Sequence, residues 1–149
     1  MMEWPRQLLD KVEEFEGFSE KPYICPAGYW TIGFGTLCDK SHAPVTREEA
    51  EALLIEELDR CYNEALIQCS VLRKEPAHRA QAIAVWMHNL GSGAFASSTF
   101  KKKVNAKEWY DAAREMIRWT KATVKGQKVE LGGLVRRRFY EASVFLNGA

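Results

Sequence analysis

No apolar run in the 149-residue sequence approaches the roughly 18 residues that a membrane-spanning helix needs. The first residues, MMEWPRQLLDKVEEFEG, lack a basic segment followed by an apolar stretch, so they do not read as a secretory signal. Cysteine is sparse, with 4 residues at positions 25, 38, 61 and 69. None forms a CxxC pair, and the 3 histidines add no cluster at zinc-ligand spacing. In a reducing cytoplasm all four stay as thiols. Cys61 and Cys69 fall in a helical pattern and read as small buried apolar groups. There is no internal repeat and no low-complexity linker. Disorder is excluded by 46% hydrophobic and 28% charged residues, an ordinary globular composition. The length fits one domain, or two small lobes sharing a core.

Net charge is also scarce, at +1, but it is unevenly placed. Residues 1–75 carry 8 Lys and Arg against 15 Asp and Glu, a balance of −7. Residues 76–149 carry 13 against 5, a balance of +8. Such a split fits a polyanionic partner or internal charge pairing, and composition does not choose between them.

Leu8, Leu9, Val12 and Phe15 recur at helical spacing, which predicts a short amphipathic helix over 5–15, ending at Glu16. The text then changes to YICPAGYWTIGFGTL (23–37), rich in aromatic and β-branched residues and glycine. That predicts short antiparallel strands joined by a turn at Pro26-Ala27-Gly28. Gly33 and Gly35 limit the length of any strand there, so the sheet is expected to be small and bent. Thr46-Arg-Glu-Glu49 matches a capping box. It opens a helix of about five turns whose stripe includes Ala50, Leu53, Leu54, Glu57, Leu58, Cys61, Ala65 and Leu66. Further helices are predicted over 77–89, 97–104, 107–119 and about 134–146, with a break at Gly91-Ser-Gly93 and a loop over 125–133. The sum is a mostly helical α+β protein with one small β element near its N-terminus.

Glu16 is the residue with the most suggestive surroundings. It lies among Phe15 and Phe18 and, in the next segment, Tyr23, Tyr29 and Trp30. A carboxyl against an apolar wall is disfavoured as an anion, which suits a general acid working near neutral pH. Glu13, Glu14 and Glu20 read as surface charge.

Residues 16–35, EGFSEKPYICPAGYWTIGFG, resemble the active-site signature of phage-type lysozymes, endolysins of the muramidase class. That pattern is Glu, eight residues, Asp or Cys, five residues, Thr, then Ile-Gly-aromatic-Gly. Here it falls on Glu16, Cys25, Thr31 and Ile32-Gly33-Phe34-Gly35 without a gap. HNLGSGAFASSTF (88–100) resembles the family's Asn-x-Gly-x-Gly-Ala-Phe stretch, and GLVRRRFYEASVFL (133–146) its Gly-Leu-x-x-Arg-Arg helix. Three blocks in order span nearly the whole chain.

The resemblance implies hydrolysis of the β-1,4 bond between N-acetylmuramic acid and N-acetylglucosamine in peptidoglycan, with host cell lysis. It implies a lysozyme-like fold, with a β-lobe at about 16–45, a linking helix at 46–70, and a helical lobe at 71–149 on which residues 1–15 pack. Glu16 matches the general acid and Thr31 the hydroxyl that helps place a water. Cys25 stands where the pattern has Asp or Cys. A thiol titrates near 8.5, so it acts as base or nucleophile only as thiolate, and otherwise only orients water. Nucleophilic attack gives retention and an activated water gives inversion; water activation or orientation is favoured. Arg136 is the arginine expected to support Glu16, with Arg137 and Arg138 facing solvent. Asn89, Ser92, Gly93 and Phe95 are expected to line the sugar cleft, with Gly33 and Gly35 supporting it. Trp86, Trp109 and Trp119 read as core, and His42, His78 and His88 as structural.

No cofactor or metal is implied. The implied partner is the glycan strand, with no nucleic acid and no membrane insertion. The chain resembles the soluble type, a monomer that waits in the host cytoplasm for a holin-like pore to open the way to the wall. A lytic transglycosylase is the competing enzyme, because only one carboxylate is matched; a non-catalytic wall-binding protein is the other alternative. Given the implied fold, the charge split reads as one lobe set against the other, with a basic outer face suited to an anionic wall.

Overall fold

A computed structural model describes residues 2–149. The chain divides into two compact units, Met1–Glu57 and Leu58–Ala149.

The first unit opens with α1 (Arg6–Glu16), which turns Leu8, Leu9 and Val12 inward. A three-stranded antiparallel sheet follows: β1 (Ser19–Ile24), β2 (Trp30–Gly33) and β3 (Thr36–Leu37), in that order. The expected turn is there, closed by a Gly28 N–H donating to the Cys25 carbonyl at 2.8 Å. Gly28 has φ 92°, a left-handed conformation that suits a residue without Cβ. The sheet's buried side, with Ile32 and Phe34, joins Trp4, Val45, Ala50 and Leu54 among the buried apolar residues of this unit.

Helix α2 (Arg47–Gln68) starts at the capping box, as the sequence predicts. Thr46 N–H donates to Glu49 Oε1 at 3.0 Å, and Glu49 N–H donates to Thr46 Oγ1 at 3.1 Å. The helix runs through the division between the units, which therefore falls inside the stretch expected to link the lobes. Residues 1–15, expected on the helical lobe, belong to the first unit. Arg6 explains part of this: its guanidinium binds Glu51 on α2 as well as Asp10 (2.9 Å) and Glu13 (3.1 Å) on its own helix.

The second unit is helical. It holds a 3-10 turn (Ser70–Lys74), α3 (Ala77–Leu90), α4 (Ser92–Ala96), α5 (Thr99–Asn105), α6 (Trp109–Met116) and α7 (Gly132–Asn147). Every residue of α3 from Ala80 to Met87 is buried, as a central helix covered on all sides must be. Trp86 stacks edge-on with Phe95 and Phe100, and Phe100 with Phe145, at centroid separations of 6.1, 5.2 and 5.9 Å. Gly91 (φ 95°) ends α3 where the break was expected, and α4 begins one residue later.

The segment expected to be a loop is instead half of a hairpin. β4 (Lys121–Val124) pairs with β5 (Gln127–Glu130) around Lys125-Gly126, both at positive φ (51° and 80°). Positive φ at both central residues is what a two-residue hairpin loop requires, because it matches the twist of the strands. The lysines interleaved with Val124 and Val129 hide the strand signal in composition. Among the described residues no helix is long and apolar enough to cross a membrane.

Candidate active site

Glu16 is the last residue of α1, and Gly17 (φ 72°) caps the helix with its N–H on the Glu13 carbonyl at 2.9 Å. The carboxyl of Glu16 reaches the glycine loop after β2. A Cβ at Gly35 would lie 2.7 Å from Glu16 Oε2, and Gly35 has φ 87°. Position 35 favours glycine for its backbone conformation, and a Cβ there would oblige the Glu16 carboxyl to shift. Gly33 serves packing: with φ 64°, a Cβ there would lie 2.9 Å from that of Ala50 on α2.

Cys25 follows β1 and is half-buried. Its N–H donates to the Tyr29 carbonyl at 2.9 Å, which carries the strand pairing past the end of β1. The thiol is held below its ordinary range. The main cause is the Tyr29 N–H, followed by the Thr31 hydroxyl, with the Ala27 and Gly28 N–H groups adding to them against the effect of burial. The turn thus favours the thiolate. Thr31 is buried in β2, and its hydroxyl donates to the Tyr29 carbonyl at 3.0 Å. That hydroxyl has one proton to donate, so donation to the sulfur would come at the expense of the carbonyl.

Tyr23 ties the two halves together. Its phenol is raised above its ordinary range by burial first, then by the charges of Cys25 and Glu16. The Glu16 and Cys25 charges thus both act on the Tyr23 phenol. Glu16, Cys25, Thr31 and Gly35 all belong to the first unit and are supplied by 20 consecutive residues, with Glu16 against Gly35 and Cys25 beside Thr31.

The second unit departs from expectation. Arg137 and Arg138 are 4% and 0% exposed, so neither faces solvent. Both converge on buried Glu141: Arg137 Nε lies 3.2 Å from Oε2, and Arg138 Nη1 lies 2.9 Å from Oε1. Spacings of three and four residues put all three on one helix face. Arg138 also donates to Asn89 Oδ1 on α3, so Asn89 is held as part of this network. Arg136 is the exposed arginine, folded back so that a Cβ at Gly132 would meet its Nη1 at 3.5 Å. Phe95 is fully buried against Trp86, which leaves its ring no accessible surface for a sugar. Ser92 and Gly93 are exposed. Trp86 is core as read, whereas Trp119 is 38% exposed. Sequence reasoning missed Glu141. Its signal was a lone acid three and four residues after two adjacent arginines.

Among the described residues no group of three or more His, Cys, Asp and Glu side chains is placed to hold a metal ion. No disulfide joins the cysteines.

The phage lysozyme family model matches residues 13–141. The chain is 34% identical over 135 residues to the endolysin of Acyrthosiphon pisum secondary endosymbiont phage 1, covering 90% of this chain and 91% of that protein. Among solved structures, the muramidase domain of SpmX from Asticaccaulis excentricus superposes with a TM-score of 0.84 at 30% identity, covering 99% of each chain. The endolysin from Escherichia coli O157:H7 phage FAHEc1 superposes with a TM-score of 0.81 at 31% identity, covering 99% of this chain and 96% of that one.

Proposed function

Because the chain belongs to the phage lysozyme family, peptidoglycan-cleaving enzymes of mostly helical α+β fold, we propose that it is a muramidase cutting the β-1,4 bond between N-acetylmuramic acid and N-acetylglucosamine. The observation that carries the reading is the pairing of one carboxyl, seated against Gly35, with a thiol that its turn biases toward the anion.

Glu16 enters as the neutral acid and gives its proton to the glycosidic oxygen as the C1–O bond breaks. The Cys25 thiolate takes a proton from a water that Thr31 helps to place. The resulting hydroxide forms the new C1–O bond from the opposite face, with inversion. The thiol then returns its proton through solvent to the Glu16 carboxylate, and both groups are reset. Supporting roles are assigned to Asn89, which is bonded to Arg138, and to Arg136, the exposed arginine of α7. The enzyme acts as a monomer, made in the host cytoplasm and released to the wall by a holin-like pore.

A lytic transglycosylase is the second reading, favoured by the single carboxylate in the group. It would close the muramic acid onto itself instead of adding water. Turbidity clearing of permeabilised cells by the parent and by Glu16→Gln tests the assignment: clearing at the parental rate by the variant removes Glu16 from the mechanism. Mass spectrometry of the products separates the two chemistries. Reducing ends support hydrolysis, and 1,6-anhydromuramic ends overturn it.

A further inference from the structure

The first sheet lays out a row of side chains on one face. Tyr23 stands opposite Thr31 across β1–β2, and Thr31 stands opposite Leu37 across β2–β3. Directly opposed residues share a face, with Cβ atoms about 5 Å apart. Cys25 lies one residue past β1 but keeps the pairing through its N–H on the Tyr29 carbonyl, so the two-residue alternation adds it beside Tyr23. The middle of the row, Thr31, is 3% exposed, while Tyr23 keeps 38% of its surface accessible. The hydroxyl and thiol are thus flanked by an accessible aromatic ring.

That ring is partly packed and partly accessible. Among the described residues no hydrogen bond engages the Tyr23 hydroxyl and no ring forms a stacked pair with it. An amphipathic ring with an uncommitted donor suits a ligand that is apolar on one side and hydroxylated at its edge, as a hexosamine is.

We propose that Tyr23 is a substrate-contacting residue: its ring forms a wall beside Thr31 for the apolar face of the hexosamine at the reacting bond, and its hydroxyl donates a hydrogen bond to that sugar. Burial and the neighbouring Cys25 and Glu16 charges keep the phenol protonated, so it remains a donor wherever the site works. This rests on the muramidase reading and adds a recognition residue to it.

Binding without turnover tests it. Calorimetry of a soluble peptidoglycan tetrasaccharide against Glu16→Gln, alone and combined with Tyr23→Phe or Tyr23→Ala, reads the contact directly. Tyr23→Phe is expected to raise Kd about three- to tenfold, the worth of one net hydrogen bond. Tyr23→Ala is expected to raise it by more than the Phe variant does. The Tm and the pH profile of Cys25 alkylation should stay at parental values in Tyr23→Phe, which a purely structural role would not allow. Unchanged Kd in both variants, no binding by Glu16→Gln itself, or a Kd loss that comes with a shifted Tm and alkylation profile overturns the proposal. An effect confined to Tyr23→Ala overturns the donor and leaves the wall. The muramidase reading is judged separately, by whether the parent clears cells and Glu16→Gln does not.

Discussion

A methyl group on residue 35 would stand 2.7 Å from the Oε2 atom of Glu16. The carboxyl therefore rests close against the backbone of one glycine, and Gly35→Ala is expected to displace it. Displacement of a reacting group by about 1 Å costs on the order of 100-fold in rate. The left-handed φ adds about 1–2 kcal/mol of instability. Clearing rates together with thermal melts check this. A Gly35→Ala protein of parental activity would show that the carboxyl is not held by this contact.

The thiol of Cys25 owes part of its acidity to Thr31. Thr31→Val removes the hydroxyl while nearly keeping the shape, so the thiolate loses a donor and its titration moves upward. The Tyr29 N–H, the larger cause, remains, and the thiol stays below the ordinary range. Iodoacetamide alkylation followed against pH reads the shift. A midpoint that stays put or falls would contradict the contribution of the Thr31 hydroxyl.

Glu13 and Glu51 both meet the Arg6 guanidinium, and each shifts the titration of the other. Burial, then Glu51, lifts Glu13 from its ordinary 4.5 to about 7. Arg6, then Glu13, lowers Glu51 from 4.5 to about 2. Between pH 2 and 4.5 the unfolded chain binds more protons at position 51, so stability rises with pH. Between 4.5 and 7 the folded chain retains a proton at position 13 that the unfolded chain has released, so stability falls. The pair contributes most near pH 4.5, and Glu13→Gln should flatten the decline above it. Melting temperatures of both proteins from pH 4 to 8 decide the matter. Parallel curves throughout would sink this reading.

Glu141 meets two buried arginines, so Glu141→Gln removes one buried counter-charge that both of them share. Breaking a buried pair from one side costs about 3–5 kcal/mol. For a chain of this size the Tm loss is on the order of 10 °C. Urea denaturation of parent and variant measures it, and a change below about 1 kcal/mol would mean that solvent reaches the cluster.

What the chain shows by itself depends on interactions of short range. The capping box at Thr46, the helix ending at Glu16-Gly17, the turn at Pro26–Gly28 and the break at Gly91 each need only a few adjacent residues, and each stands where the sequence places it. The hairpin at 121–130 was equally local, but its lysines obscured the alternation and its loop carries Lys rather than Asn or Asp before the glycine.

Tertiary structure decided the rest. Three adjacent arginines carry no indication of which faces inward until the phase of α7 against α3 is set, and that phase buries Arg137 and Arg138 and leaves Arg136 outside. The same holds for Tyr23, whose place beside Thr31 is a matter of strand register, where a slip of one residue would turn it to the other face. Sequence determines which groups can ionise, donate or turn the chain. Which of them meet depends on packing, because hydrogen bonds and charges act over a few ångströms between residues far apart along the chain.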